Sequence, residues 1–459
     1  MPNLLQLRLA ARRIFDEALK AVDPYEAVHR AVNLQLDEIC ICDTSVKLAH
    51  DQRVYSIAIG KAAMAMAMAL EECLGERLAA GLISTGKAYR MPTGRGGERV
   101  VRSQINSLHH RIFDGGHPEP NEESLTAASG SFNLLRQANE EGALVIFSIS
   151  GGGSAMLESP INPDITLADL RAANHALVRS GASISEVNAV RRAFSALKGG
   201  RLSMRAPACD QISLIVSDVP PGCEYDVASG PTLSPPSTFQ ANAVVNRYDL
   251  RAKFPDSIVR ALDARPQLVN HRDDRAGRLW KHYVLLDNKS AIEAASHAAR
   301  NQNLDVVWAD GVSDQLIDTG CAELLRSLRR AAQHGRPTSL ISGGEFACPI
   351  RGEGIGGRNA ETALRLAIEW DKQTESNTAT PFVALCTGTD GVDGNSPAAG
   401  AIVDSTTISR ARAIGLDATE FLNRSDSYSF FVALGDAITT GPTGTNVRDL
   451  RILLTGDTR

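Results

Sequence analysis

Short, nearly unbroken apolar runs recur along the chain, each followed by glycine or a small polar residue and then by a longer amphipathic stretch. Runs without alternation predict strands buried on both faces. In the first half they fall at residues 54–60, 78–85, 143–146 and 211–216. Helices are predicted over 61–70 and 122–140, and a loop over 112–118. Residues 4–36 read as two helices, with Asp23-Pro24 opening the second because proline suits a first helical turn. In the second half, strands are predicted at 283–286, 305–309, 338–342 and 381–386, helices at 288–300 and 315–333, and a closing strand within 444–459. Repetition of strand, glycine turn and helix predicts an α/β protein whose first half holds a parallel sheet covered by helices.

A chain of 459 residues should form two domains. The break at Pro235-Pro236 and the charged run Arg272-Asp273-Asp274-Arg275 suggest a first domain over 1–240, a helical and linker region over 241–280, and a second α/β domain over 281–459. With a net charge of -5 and no block of lysine and arginine, nothing points to a nucleic-acid groove. No segment reaches the length of a membrane span, and the eight cysteines are scattered, so free thiols in the cytoplasm are expected.

Candidate chemistry sits where strands end. Ser150-Gly151-Gly152-Gly153-Ser154 leaves backbone N–H groups free to face an anion, though a tight βα turn would look the same. It is neither a Walker A loop nor a dinucleotide fingerprint. Lys61 follows a strand and a glycine, where its point charge suits a phosphate or carboxylate. Arg358 lies beyond a glycine-rich loop and could clamp an anion through two nitrogens. Asp218, Asp390 and Asp393 are loop carboxylates of the type Mg²⁺ prefers, and Glu345 is similar. His117 precedes Pro118, and the histidines show no zinc spacing. Backbone donors, a lysine, an arginine and acidic loops together match phosphoryl transfer.

On these residues the chain resembles the class II glycerate 2-kinases of the MOFRL family, some of which carry the name hydroxypyruvate reductase. The shared motifs include Ile59-Gly60-Lys61-Ala62-Ala63, Gly116-His117-Pro118, Ser150 to Ser154, Glu186-Val187-Asn188-Ala189-Val190-Arg191, Lys198-Gly199-Gly200-Arg201-Leu202 and Ala228-Ser229-Gly230-Pro231-Thr232. They continue through Ser342-Gly343-Gly344-Glu345, Gly356-Gly357-Arg358-Asn359 and Thr389-Asp390-Gly391-Val392-Asp393-Gly394 to Thr440–Asn446.

The resemblance implies two α/β domains around a deep cleft, the first Rossmann-like, and phosphorylation of D-glycerate at its 2-hydroxyl by ATP with Mg²⁺. It implies catalytic roles for Lys61, Arg358 and, as base, Asp218. Ser150, Gly151, Gly152, Gly153, Ser154, His117 and Arg191 would face the substrate. Gly343, Gly344, Glu345, Gly356, Gly357, Thr389, Gly391, Thr443 and Asn446 would face the nucleotide, with Asp390 and Asp393 on the metal. Neither nucleic acid nor membrane is an expected partner, and a homodimer is possible.

The sequence departs from the family pattern at Asn121, usually aspartate, at Pro221-Gly222-Cys223, usually Gly-Asp-Asp, at Phe346-Ala347, usually a threonine pair, and at Arg448, commonly asparagine. These changes bear on substrate size or nucleotide preference, so a related sugar acid stays open as substrate. An NAD(P)H-dependent hydroxypyruvate reductase would need a Gly-x-Gly-x-x-Gly turn that is missing here. A non-enzymatic anion-binding module would not need paired acidic loops.

Overall fold

The computed structural model describes residues 4–89, 109–235, 240–264, 277–333, 335–374 and 381–456, with 373 and 374 by backbone alone. Two compact units emerge: Pro24–Leu285, and Met1–Asp23 together with Leu286–Arg459.

In the first unit, β1 (Val32–Gln35), β2 (Glu38–Ile41) and β3 (Thr44–Lys47) form a small antiparallel sheet. The main sheet contains β4 (Val54–Ile59), β5 (Leu78–Thr85), β6 (His110–Asp114), β7 (Leu144–Ser150), β8 (Asp210–Val216) and β9 (Trp280–Leu286), in the order β6-β5-β4-β7-β8-β9. Strands β6 to β8 of that order run parallel. Every residue of β4 and β7 is buried, as their unbroken apolar pattern predicts. The helix Ala63–Leu74 alternates alanine and methionine and is buried on nearly all sides. From β4 the chain steps outward through β5 to β6, then returns to β7 on the other side of β4. The strand order therefore reverses between β4 and β7, and crevices at such points are where open α/β sheets bind ligands.

The second unit carries β10 (Asp305–Trp308), β11 (Thr338–Gly343), β12 (Phe382–Gly388), β13 (Gly400–Asp404), β14 (Ala437–Ile438) and β15 (Asp449–Thr455), in the order β10-β11-β15-β12-β13-β14. This sheet is mixed. Closing strand β15 inserts antiparallel between β11 and β12, pairing Leu450 with Gly343 and Asp449 with Gly388. The beginning of β15 thus lies beside the ends of two strands that come earlier in the chain.

Several sequence expectations shift. The helix Leu4–Ala21 belongs to the second unit, where its apolar face joins Ile341, Val383 and Ile452 and its Arg8 pairs with Asp404 and Asp436. The helices Ala241–Arg247 and Asp256–Asp263, expected in a separate helical and linker region, pack Val245 and Ile258 against Val190 and Phe194 of the first unit. The run at 283–286 closes the first sheet rather than opening the second, and 112–114, expected as the start of a loop, finish its edge strand β6. The charged run 272–276 lies outside the described residues. Strands β1 to β3 escaped notice because four-residue strands carry too little alternation.

Candidate active site

The ends of β4 and β7 are stapled together. Lys61 N donates to Gly151 O at 2.9 Å, and Gly60 N donates to Ser84 O at 3.1 Å. Ser150 Oγ donates to Ile59 O at 3.1 Å and accepts from Ala62 N at 3.0 Å. Gly60 sits at φ +109°, and a methyl group there would lie 2.4 Å from Ser150 O, so only glycine fits. Ser150 is fully buried and its hydroxyl is spent on this staple, which corrects its expected place on the substrate.

Lys61 is 8% exposed, with Nζ 5.8 Å from the centre of the Tyr89 ring. A methyl group at Gly152 would lie 3.1 Å from His117 Cδ2 and 3.3 Å from Lys61 Cγ. Lysine, histidine and glycine loop therefore share one small space at the switch point. The expected helix after the loop is a single turn, Gly153–Met156, too short to gather a useful dipole. Asp218 is half-buried just past the end of β8, the neighbour of β7.

Behind the loop, Ser154 Oγ meets Ser229 Oγ at 2.8 Å, and Ser229 Oγ donates to Asn188 Oδ1 at 2.8 Å. Asn188 Nδ2 donates to Asp226 O and Oδ1, both at 3.2 Å. Arg192 Nη2 and Ser185 Oγ also donate to Asp226, at 2.6 and 2.5 Å. Ala228 and Ser229 hold left-handed backbone at φ +51° and +62°, a strain of about 1–3 kcal/mol per residue. Nearby, Lys198 and Glu158 form a pair that is 1% exposed on each side. Arg191 donates from Nε to Asn174 Oδ1 at 2.9 Å, and burial lowers its pKa while Glu158 opposes the shift.

In the second unit, Arg358 opens the helix Arg358–Thr374 and binds two carboxylates. Its Nε and Nη2 meet Asp449 at 2.6 and 3.2 Å, and Nη2 meets Glu345 at 2.7 Å. The two anions raise the guanidinium's pKa despite burial. Nη1 is the nitrogen left for a ligand among these contacts.

Asp393 departs from its expected role. It is 2% exposed, and its oxygens accept from Asn359 N at 2.9 Å and Ala360 N at 2.8 Å, capping the helix that bears Arg358. Burial pushes its pKa up to about 7, helped by Asp449 and opposed by those N–H groups. The expected nucleotide glycines are likewise accounted for by protein. Side chains at Gly343, Gly344, Gly356 and Gly357 would overlap Asn288, Ser313, Ser427 and Asp393, and one at Gly391 would overlap Gly441 O. Thr389 is buried, accepting from Val447 N and donating to Arg448 O, and Thr443 Oγ1 donates to Thr389 O. Asp390 and Asn446 are half-buried, accepting from Val392 N and Arg448 N.

Family models match over residues 10–263, a domain of unknown function (DUF4147), and over 338–449, the MOFRL family. A glycerate 2-kinase of Pyrococcus horikoshii is 32% identical, the match covering 98% of each chain. The chain belongs to the MOFRL family. A relative from Agrobacterium vitis provisionally called hydroxypyruvate reductase is 34% identical over 99% of this chain and 96% of its own. The crystal structure of a glycerate kinase from Thermotoga maritima superposes with a TM-score of 0.76 at 29% identity, covering 98% of this chain and 99% of that one.

Within this MOFRL chain, Asn121 explains one departure from the family pattern. It caps the helix Glu122–Glu141 through a reciprocal exchange with Ser124, and its Nδ2 donates to Asp114 O at 2.8 Å. The change to asparagine therefore keeps the cap. Asp449, Asn188, Ser229 and Asp226 were missed as site residues. Only their sequence motifs could have flagged Asn188 and Ser229, and nothing local marks Asp449.

Proposed function

We propose that the chain transfers the terminal phosphoryl group of ATP to the 2-hydroxyl of D-glycerate, yielding 2-phospho-D-glycerate and ADP. The observation that carries this reading is Lys61, nearly buried at the switch point beside Gly152 and His117. A buried ammonium there neutralises anionic charge in a low-dielectric setting, where it is worth far more than in water. Asp218 is the base we assign to the substrate hydroxyl, whose oxygen attacks the phosphorus as ADP departs. Arg191 and Ser154 are assigned to the substrate, and Glu345, Arg358, Thr443 and Asn446 to the nucleotide side.

Mg²⁺ fits this donor set in part. Among the described residues, no group of three or more His, Cys, Asp and Glu side chains gathers into a metal site. Mg²⁺ usually keeps several waters and takes one or two carboxylates plus phosphate oxygens. Asp390 suits that role, whereas Asp393, buried and committed to the helix, does not. When bound, the ion would offset charge on the phosphates.

No helix among the described residues is long and apolar enough to cross a membrane. The test is ADP release with D-glycerate, ATP and Mg²⁺, run beside NADH oxidation with hydroxypyruvate. ADP without NADH loss is expected. NADH loss without ADP would favour the reductase reading.

A further inference from the structure

The protons along the chain Ser154–Ser229–Asn188–Asp226 have one consistent direction. Asn188 faces two acceptors on Asp226, the backbone oxygen and Oδ1, so its Nδ2 must point there and its Oδ1 must point to Ser229. Asp226 Oδ1 also accepts from Arg192 Nη2 at 2.6 Å, and its Oδ2 accepts from the Ser185 hydroxyl at 2.5 Å. Ser229 therefore spends its single proton on Asn188 Oδ1. A hydroxyl has one proton to give, so the 2.8 Å contact between Ser229 and Ser154 needs the proton of Ser154. Ser154 is then left with lone pairs alone for anything that approaches its half-exposed side. Cooperative polarisation from the Asp226 carboxylate strengthens Ser154 as an acceptor.

We propose that Ser154 recognises a hydrogen-bond donor on the substrate, the hydroxyl that is not phosphorylated, and that it does not bind phosphate or carboxylate. This rests on the hydroxy-acid kinase reading. An anion placed at Ser154 Oγ would meet lone pairs, or would break the contact to Ser229. A serine cannot hold the proton of the reacting hydroxyl, so the hydroxyl that keeps its proton is the one that suits it. The anionic end of the substrate is left to Lys61 and Arg191. Ser229 is a positioning residue, and its strained backbone is the local cost of holding the relay.

The experiment is equilibrium binding by titration calorimetry on the full chain, with D-glycerate and with D-lactate, which lacks only the 3-hydroxyl. ADP release is measured separately, so failure of the kinase reading shows as no ADP from the unaltered protein, whatever the binding ratio. Ser154→Ala should cut the preference for D-glycerate over D-lactate by about tenfold, the size of one good hydrogen bond, leaving D-lactate binding within about twofold. Ser229→Gly, which tolerates the left-handed backbone, should shift the ratio the same way by a smaller factor. Ser154→Thr should restore it. An unchanged ratio in Ser154→Ala, or equal weakening of both ligands, overturns the proposal.

Discussion

Asp449 holds Arg358 by two side-by-side contacts, Nε to Oδ2 at 2.6 Å and Nη2 to Oδ1 at 3.2 Å. The pair exists because β15 is threaded between β11 and β12, which brings its first residue beside Gly388 and the Ser342-Gly343-Gly344-Glu345 turn. Asp449 is 1% exposed and also lies 3.9 Å from the buried guanidinium of Arg451. Removing it strands positive charge in the interior. Asp449→Ala should cost about 1–3 kcal/mol, less than the range for a fully buried pair because the Arg358 side chain is 36% exposed and keeps Glu345, read from urea unfolding. A loss below about 1 kcal/mol would mean that water or Glu345 replaces it.

Arg358→Lys keeps the charge but cannot reach Asp449 through two nitrogens. We expect kcat to fall by at least about tenfold while the unfolding midpoint falls less than in Asp449→Ala, because Glu345 can still pair with the ammonium. Unchanged kcat would assign Arg358 to the scaffold alone.

Gly60→Ala places a methyl group against Ser150 O at φ +109°. Strain alone is worth about 1–3 kcal/mol, and the overlap adds to it. The variant should unfold at clearly lower urea and lose ADP release. Wild-type stability would show that the β4–β7 staple gives way easily.

Asp393 sets a pH dependence. Its folded pKa, about 7, stands above the ordinary carboxylate value. Between about pH 4 and 7 the folded chain holds a proton that the unfolded chain has released. The stability this site contributes is therefore complete below about pH 4 and declines as pH rises through 7. Asp393→Asn, with no charge to lose, should be flatter over that window. The stability difference, wild type minus variant, should fall as pH rises, and a rise would contradict the assignment.

How much of this was legible in sequence depended on distance along the chain. The β4 and β7 runs, each ending in small residues, identify their own strands and the loops that matter, because burial on both faces leaves a local pattern. Lys61 was legible for the same reason. Asp393 looked like a metal ligand because a carboxylate between glycines reads alike whether it faces solvent or caps a helix 34 residues away. Asp449 was illegible, since its meaning comes from strand insertion. The helix Leu4–Ala21 is a clear amphipathic helix, but no local feature says that its apolar face is completed by β12 and β15.

Lys61→Ala should lower kcat by at least about a hundredfold, the scale of a lost contact to developing charge, with the fold intact by circular dichroism. A wild-type rate would return Lys61 to a structural role.

Transfer of phosphate to the 2-hydroxyl of D-glycerate leaves a product distinct from its 3-phospho isomer. The direct measurement is ³¹P NMR of the reaction with D-glycerate, ATP and Mg²⁺, with addition of authentic 2- and 3-phosphoglycerate. One new phosphomonoester signal is expected, coinciding with 2-phosphoglycerate and growing as ADP appears. A signal coinciding with 3-phosphoglycerate, or no new signal while D-glycerate remains, would contradict transfer to the 2-hydroxyl.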